Sequence, residues 1–114
     1  MEDACSLVDA YRAGTISPTE ALEGSLAAIA DSKLNAVCFL DEEQARETAA
    51  GADVSLPFGG VPIGVKELDS VTGWPYSEAS LVFEDRVGEY TTTMVQRLTA
   101  AAHLERSKLF GGKT

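Results

Sequence analysis

Three stretches of the chain carry apolar residues at helical spacing. Residues 3–13 place Leu7, Val8 and Tyr11 on one side, and Gly14 follows where a helix would stop. Ser17-Pro18-Thr19-Glu20 is a helix start: Ser17 can cap, Pro18 suits the first helical position, and Glu20 completes a capping box. Leu22, Leu26 and Ile29 continue that helix to about Ser32. Thr91 or Thr92 is placed to cap a third helix running to about Ala102, with Val95, Leu98 and Ala102 on one face. Between these, Asp41-Glu42-Glu43-Gln44 opens a further helix by its capping pattern, ending near Gly51.

Two segments lack helical spacing and read as strands. Asn35–Leu40 is apolar on both faces after Asn35, which predicts a buried strand. Residues 61–66 alternate β-branched residues with Pro62 and Gly64 and end at Lys66. A connection rich in Gly, Pro and Ser covers 52–60, residues 67–90 hold no regular pattern, and Leu109-Phe110 is a candidate strand remnant. A loop as long as 67–90 is uncommon unless it is functional or covers something. The order helix, helix, strand, helix, strand, helix predicts an α/β layer in a single unit over 1–114, helices packed on a small mixed or parallel sheet.

Lys66 is the candidate catalytic residue. It stands at the end of an apolar strand in Gly59-Gly60-Val61-Pro62-Ile63-Gly64-Val65-Lys66-Glu67, where glycine admits close approach of another backbone. A lysine stripped of its water there becomes a neutral amine and a proton acceptor. The competing reading is a solvated strand-end lysine whose stem covers apolar surface.

The segment Pro57–Leu68 resembles the N-terminal lysine motif of the amidase signature family, roughly P-L-x-G-V-P-[IV]-x-[VI]-K-D. Leu34-Asn35-Ala36-Val37 is similar to that family's L-N-A-[FV] strand entry, and Val95-Gln96-Arg97-Leu98 to its V-x-R-L helix. Gly73-Trp74-Pro75-Tyr76-Ser77-Glu78-Ala79-Ser80 is similar to G-x-P-[TY]-[TS]-x-G-S, with Ala79 where glycine is usual. The matches fall in family order and cover about residues 4–102. The resemblance implies hydrolysis of carboxamide C–N bonds by a Ser–cis-Ser–Lys triad, with Lys66 as the lysine, accepting a proton through a bridging serine while a second serine attacks the carbonyl. Backbone N–H groups would hold the oxyanion.

Both serines of that arrangement lie downstream of the lysine in the family, the bridging one in a Gly/Ser-rich loop. Ser6, Ser17, Ser25, Ser32, Ser55, Ser70, Ser77, Ser80 and Ser107 are the serines here, and none has that context. The 114 residues alone are therefore expected to be inactive. The stretch from Ala100 to Thr114 departs from the family's A-A-G-A, apolar strand and G-K-T pattern, which a truncated or altered reading frame, or an artificial boundary of the expressed segment, would explain. The apolar faces of an incomplete sheet would then be exposed, and a homo-oligomer is expected. A noncatalytic acidic module that binds itself or a protein partner is the second function class.

Composition narrows the partners. A formal net charge of −9 disfavours nucleic acid and anionic membranes. Cys5 and Cys38 lack metal-like spacing and read as reduced thiols in a cytoplasmic protein, with no metal and no cofactor implied. No stretch approaches a membrane span, and the acidic Met1-Glu2-Asp3 start is unlike a signal peptide. Gly111-Gly112-Lys113-Thr114 imitates a phosphate loop, but Ser107 stands where the first glycine belongs. His103 reads as a helix-end residue. Trp74 and Tyr76 are pocket or core candidates, Ser77 and Ser80 turn residues, and Glu67 a partner for a cation or an exposed group.

Overall fold

The structure is a computed structural model and describes residues 3–102 and 110–112. Helix α1 spans Ala4–Ala13. Asp3 caps it by accepting a hydrogen bond from the Ser6 N–H, Ser6 Oγ accepts one from the Asp3 N–H, and Gly14 closes it in the left-handed conformation at φ 73°. Helix α2 spans Pro18–Asp31 and starts as its sequence predicts: Ser17 Oγ accepts from the Glu20 N–H while the Glu20 carboxylate accepts from the Ser17 N–H. Helix α3 spans Glu42–Ala50, with Asp41 accepting from the Gln44 N–H.

Leu22 and Leu26 of α2 pack against Ala45 and Ala49 of α3, with Leu40 at the margin. The alanines let the two helices approach closely, and Arg46 adds exposed ion pairs to Glu23 at 2.6 Å and Glu42 at 3.5 Å. The hydrogen bond from Arg46, and then its charge, hold the Glu23 carboxyl below its ordinary range.

Strand β1 is Gly64–Lys66 and strand β2 is Phe110–Gly112. They pair in parallel, Gly64 against Phe110, Val65 against Gly111 and Lys66 against Gly112. A parallel pair requires a crossover, and here helix α4, Thr93–Ala102, lies within it. Thr92 Oγ1 accepts from the Val95 N–H, and the Gln96 side chain donates to the Thr91 carbonyl, so the two threonines share the start of α4. Helices with a small parallel strand pair are a partial version of the α/β layer expected.

Two strand expectations need correction. Asn35–Leu40 is no strand: Asn35 has a left-handed φ of 52°, Phe39 alone takes a bridge position, and residues 35, 36 and 38 are exposed. Its apolar run marked a segment able to be buried, but no ladder among the described residues pairs with it. The strand expected over 61–66 shortens to 64–66, because Pro62 has no N–H to give a ladder. Of the remnant at Leu109-Phe110, Phe110 begins β2 and Leu109 lies outside the described residues, as does His103.

The connection at 52–60 is tied to α4 by the Phe58 N–H, which donates to the Ala101 carbonyl at 3.0 Å, and to α1 by a buried bond. The Tyr11 hydroxyl donates to the Gly60 carbonyl at 2.8 Å, and burial raises that hydroxyl to about 12. Gly60 itself has φ 84°, and a Cβ there would stand 2.7 Å from Pro18 Cγ. This is where the first turn of α2 meets the approach to the lysine strand.

Candidate functional site

Residues 67–92 form a closed loop rather than a lid. Its neck is a set of hydrogen bonds between its two arms. The Gly73 N–H donates to the Gly88 carbonyl at 2.9 Å, the Gly88 N–H to the Trp74 carbonyl at 2.8 Å, and the Tyr76 N–H to the Arg86 carbonyl at 2.8 Å. Pro75 and Val87 form an antiparallel bridge within this neck. At its base the fully buried Ser70 donates from Oγ to the Tyr90 carbonyl at 2.6 Å, and the Thr92 N–H donates to the Ser70 carbonyl. Gly88 is required by crowding: a Cβ would sit 2.4 Å from the Val71 carbonyl oxygen.

Arg86 organises the outer part of the loop. Its guanidinium lies 4.3 Å from the Tyr76 ring centre and 4.2 Å from that of Phe83, donates to the Tyr76 carbonyl, and pairs with Glu78 at 2.8 Å. A hydrogen bond from Tyr76 and then Arg86 hold the Glu78 carboxyl below its usual range. The Tyr76 hydroxyl is pushed up, chiefly by its bond with Tyr90 and then by Glu78. A short 3-10 turn at Leu81–Phe83 carries the tip, where Leu81 and Val82 are exposed.

The lysine strand runs along this loop. Val65 is buried with Trp74 and Val95, and Phe39, Ile63 and Val71 pack around them. Phe39 meets Trp74 at 5.3 Å between ring centres. Strand alternation then turns Lys66 outward, and it is exposed. The described residues therefore do not supply the shielding expected for this amine. Lys66 does border a small hollow of about 10 Å³, lined by Cys38, Phe39, Lys66, Glu67, Asp69 and Trp74 among others.

Glu67 follows Lys66 and is bound from the loop: Ser77 Oγ donates to its Oε1 at 2.6 Å. Its other oxygen, and the Trp74 indole nitrogen, are buried without a partner among the described residues. Of the two serines read as turn residues, Ser80 fits, accepting from the Val82 N–H, while Ser77 is a buried partner for a carboxylate. Glu67 meets a hydroxyl where a cation or open solvent was expected. The Ser77–Glu67 pair spans ten residues of irregular chain, so no periodicity announces it.

A larger groove of about 340 Å³, between the end of α2 and residues 35–37, is lined by Ala28, Ile29, Ser32, Asn35, Ala36 and Val37. It holds no ionisable side chain and offers no acid–base chemistry. Among the described residues no group of His, Cys, Asp and Glu is placed to hold a metal ion, and no helix is long and apolar enough to cross a membrane. Cys5 and Cys38 are exposed and not joined in a disulfide.

Comparison with known proteins assigns the family. The A subunit of glutamyl-tRNA(Gln) amidotransferase from Methylacidiphilum infernorum is 39% identical over 88 residues, covering 75% of this chain and 18% of that protein. Its counterpart of the same name from Akkermansia muciniphila is 38% identical over 94 residues, covering 82% of this chain and 20% of that protein. The chain thus spans about a fifth of the length of the curated relatives it matches. Among solved structures, the fold matches a chain from an inhibitor-bound vestigial protein complex that reveals the evolutionary origins of an s-triazine catabolic enzyme. That match has a TM-score of 0.80 and 23% identity, and covers 97% of this chain and 25% of the other. The model of the Amidase family matches residues 20–105, which takes in the lysine strand, the closed loop and α4, and the chain belongs to that family.

Proposed function

We propose that this chain is the lysine-bearing part of a cytoplasmic carboxamide hydrolase and that Lys66 is its proton acceptor. One observation carries the reading: within the family-matched region, Lys66 ends a parallel strand whose preceding residue is locked into the core, so its amine has a fixed point of departure beside the hollow. In the reaction, neutral Lys66 takes a proton through a bridging serine, a second serine attacks the amide carbonyl, and the amine or ammonia leaves as the proton returns. Water then hydrolyses the acyl-enzyme. The serines and the shielding that keeps the amine neutral come from outside the described residues. A base without its nucleophile performs no acyl transfer, so the 114 residues alone hydrolyse no amide. The two uncrosslinked thiols fit a reducing compartment.

The test is a graft of residues 3–102 into the matching segment of the Methylacidiphilum infernorum protein. Ammonia release from simple carboxamides is expected from the graft and not from the 114-residue chain. Lys66→Ala is expected to reduce the graft's rate by about 10²–10⁴-fold, the usual range for a lost proton-transfer group. A graft that keeps its rate after Lys66→Ala, or an isolated chain that releases ammonia, overturns the proposal.

Exposed apolar side chains favour a second reading, a self-associating module: Leu34, Leu81 and Val82 are each more than four-fifths exposed. Light scattering decides this reading, since a monomer at all concentrations removes it.

A further inference from the structure

We propose that the hollow beside Lys66 is a binding site for one water molecule, which donates to Glu67 Oε2 and accepts from the Trp74 indole N–H. Three observations converge. Trp74 is only 4% exposed, and its N–H has no partner among the described residues. Glu67 Oε2 is likewise buried and unpartnered, while Ser77 holds the other oxygen of the same carboxylate at 2.6 Å and so fixes where Oε2 stands. Both residues line one hollow of about 10 Å³.

Buried polar atoms in folded proteins are paired, with protein or with ordered water. The unpartnered donor and acceptor supply the two polar contacts that a buried water needs at minimum, and the hollow is the size of about one water-sized probe. That volume excludes an organic ligand. Water is also the ligand that satisfies both atoms at once, since it donates and accepts through the same oxygen. The chain Ser77–Glu67–water–Trp74 then ties the residue after Lys66 to the first arm of the closed loop at two points. It makes no use of the amine, so the site stands whether or not Lys66 is a proton acceptor.

Trp74 is the single tryptophan, so its indole proton is unambiguous by NMR in the full 114-residue chain. A rotating-frame water experiment is expected to show a cross-relaxation peak to that proton, opposite in sign to an exchange peak, together with slowed exchange of the indole N–H. Glu67→Leu is expected to remove the cross-relaxation peak and raise the exchange rate at least about tenfold, as loss of a buried partner opens the site. An indole proton exchanging freely with bulk water in the wild-type chain overturns the proposal. So does a wild-type proton with no water peak and a strong upfield shift, which would mark an N–H directed into the Phe39 ring. A water peak that survives unchanged in a folded Glu67→Leu variant overturns the role of Glu67. If that variant does not fold, the wild-type spectrum alone decides between a bound water and its absence.

Discussion

The α2–α3 pair and the closed loop after the lysine strand are held together by different forces. In the helical pair, two leucines meet two alanines, and polar contacts stay at the wet edge, where Arg46 reaches Glu23. In the loop, Leu81 and Val82 face solvent, Trp74 alone of the large apolar side chains is buried, and polar ties at Ser70, the Gly73–Gly88 neck and the Ser77–Glu67 pair fasten the rest. The helical pair forms from signals close in sequence. The loop depends on polar partners that must find each other across ten to twenty residues. Apart from the buried Trp74, its strength is geometric specificity, because each tie gains little by itself yet costs more when one partner is left buried and alone.

The sharpest way to break this contrast is to empty each half of its main side chain. Trp74→Ala is expected to lower stability by about 3–4 kcal/mol and Leu22→Ala by about 2–3 kcal/mol, as cavity-forming changes in small cores do. Urea unfolding followed by far-UV circular dichroism measures both. For Leu22→Ala, Trp74 fluorescence is expected to shift less than the dichroism. Coincident transitions would show that the two halves melt as one unit, and the contrast would then be one of construction only.

Ser70→Ala comes next. It removes the buried hydroxyl that donates to the Tyr90 carbonyl, and a loss of about 1 kcal/mol is expected, with faster hydrogen exchange at the neck amides of Gly73 and Gly88. A loss spread evenly over α2 and α3 would count against a separately fastened loop.

Tyr11→Phe probes the joint between the halves. Removing the hydroxyl from the Gly60 carbonyl is expected to cost about 1 kcal/mol in urea unfolding. The folded hydroxyl titrates near 12 and the unfolded one near 10, so the fold favours the neutral form. The contribution is whole below pH 10 and is lost as pH rises toward 12. The Phe variant is expected to lack that part of the alkaline decline.

The smallest effect is expected at acid pH. Glu78 has a lowered folded value, so its contribution is present above the ordinary carboxylate range and is lost as pH falls through that lowered value. Nuclear magnetic resonance of the Arg86 Nε–H at falling pH reads the loosening, which is expected to reach Tyr76 and Phe83 and to leave α2 and α3 untouched.

What could be read from sequence follows the same division. Ser17, Pro18 and Glu20 announced α2 because a capping box acts between residues three apart, and the Thr91-Thr92 pair announced α4 as a choice of two caps, of which Thr92 accepts the Val95 N–H. Lys66 was legible as the end of a strand, since alternation and a family motif coincide there, and its exposure follows the solvated strand-end reading rather than the shielded one. Asn35–Leu40 misled because an apolar run records tolerance of burial and says nothing of which strand will lie alongside. The Arg86 stack between Tyr76 and Phe83, and the Ser77–Glu67 pair, had no periodic mark: their partners are set by where the neck closes.

Gly60 bears on how this polypeptide can vary over generations. Every other L-amino acid there must adopt an unfavourable backbone sign and also intrude on the ring of Pro18. No single-base change in a glycine codon escapes both penalties, so the residue cannot drift by small steps. The angle at which the helices meet the lysine segment is thus guarded by a position that accepts no intermediate.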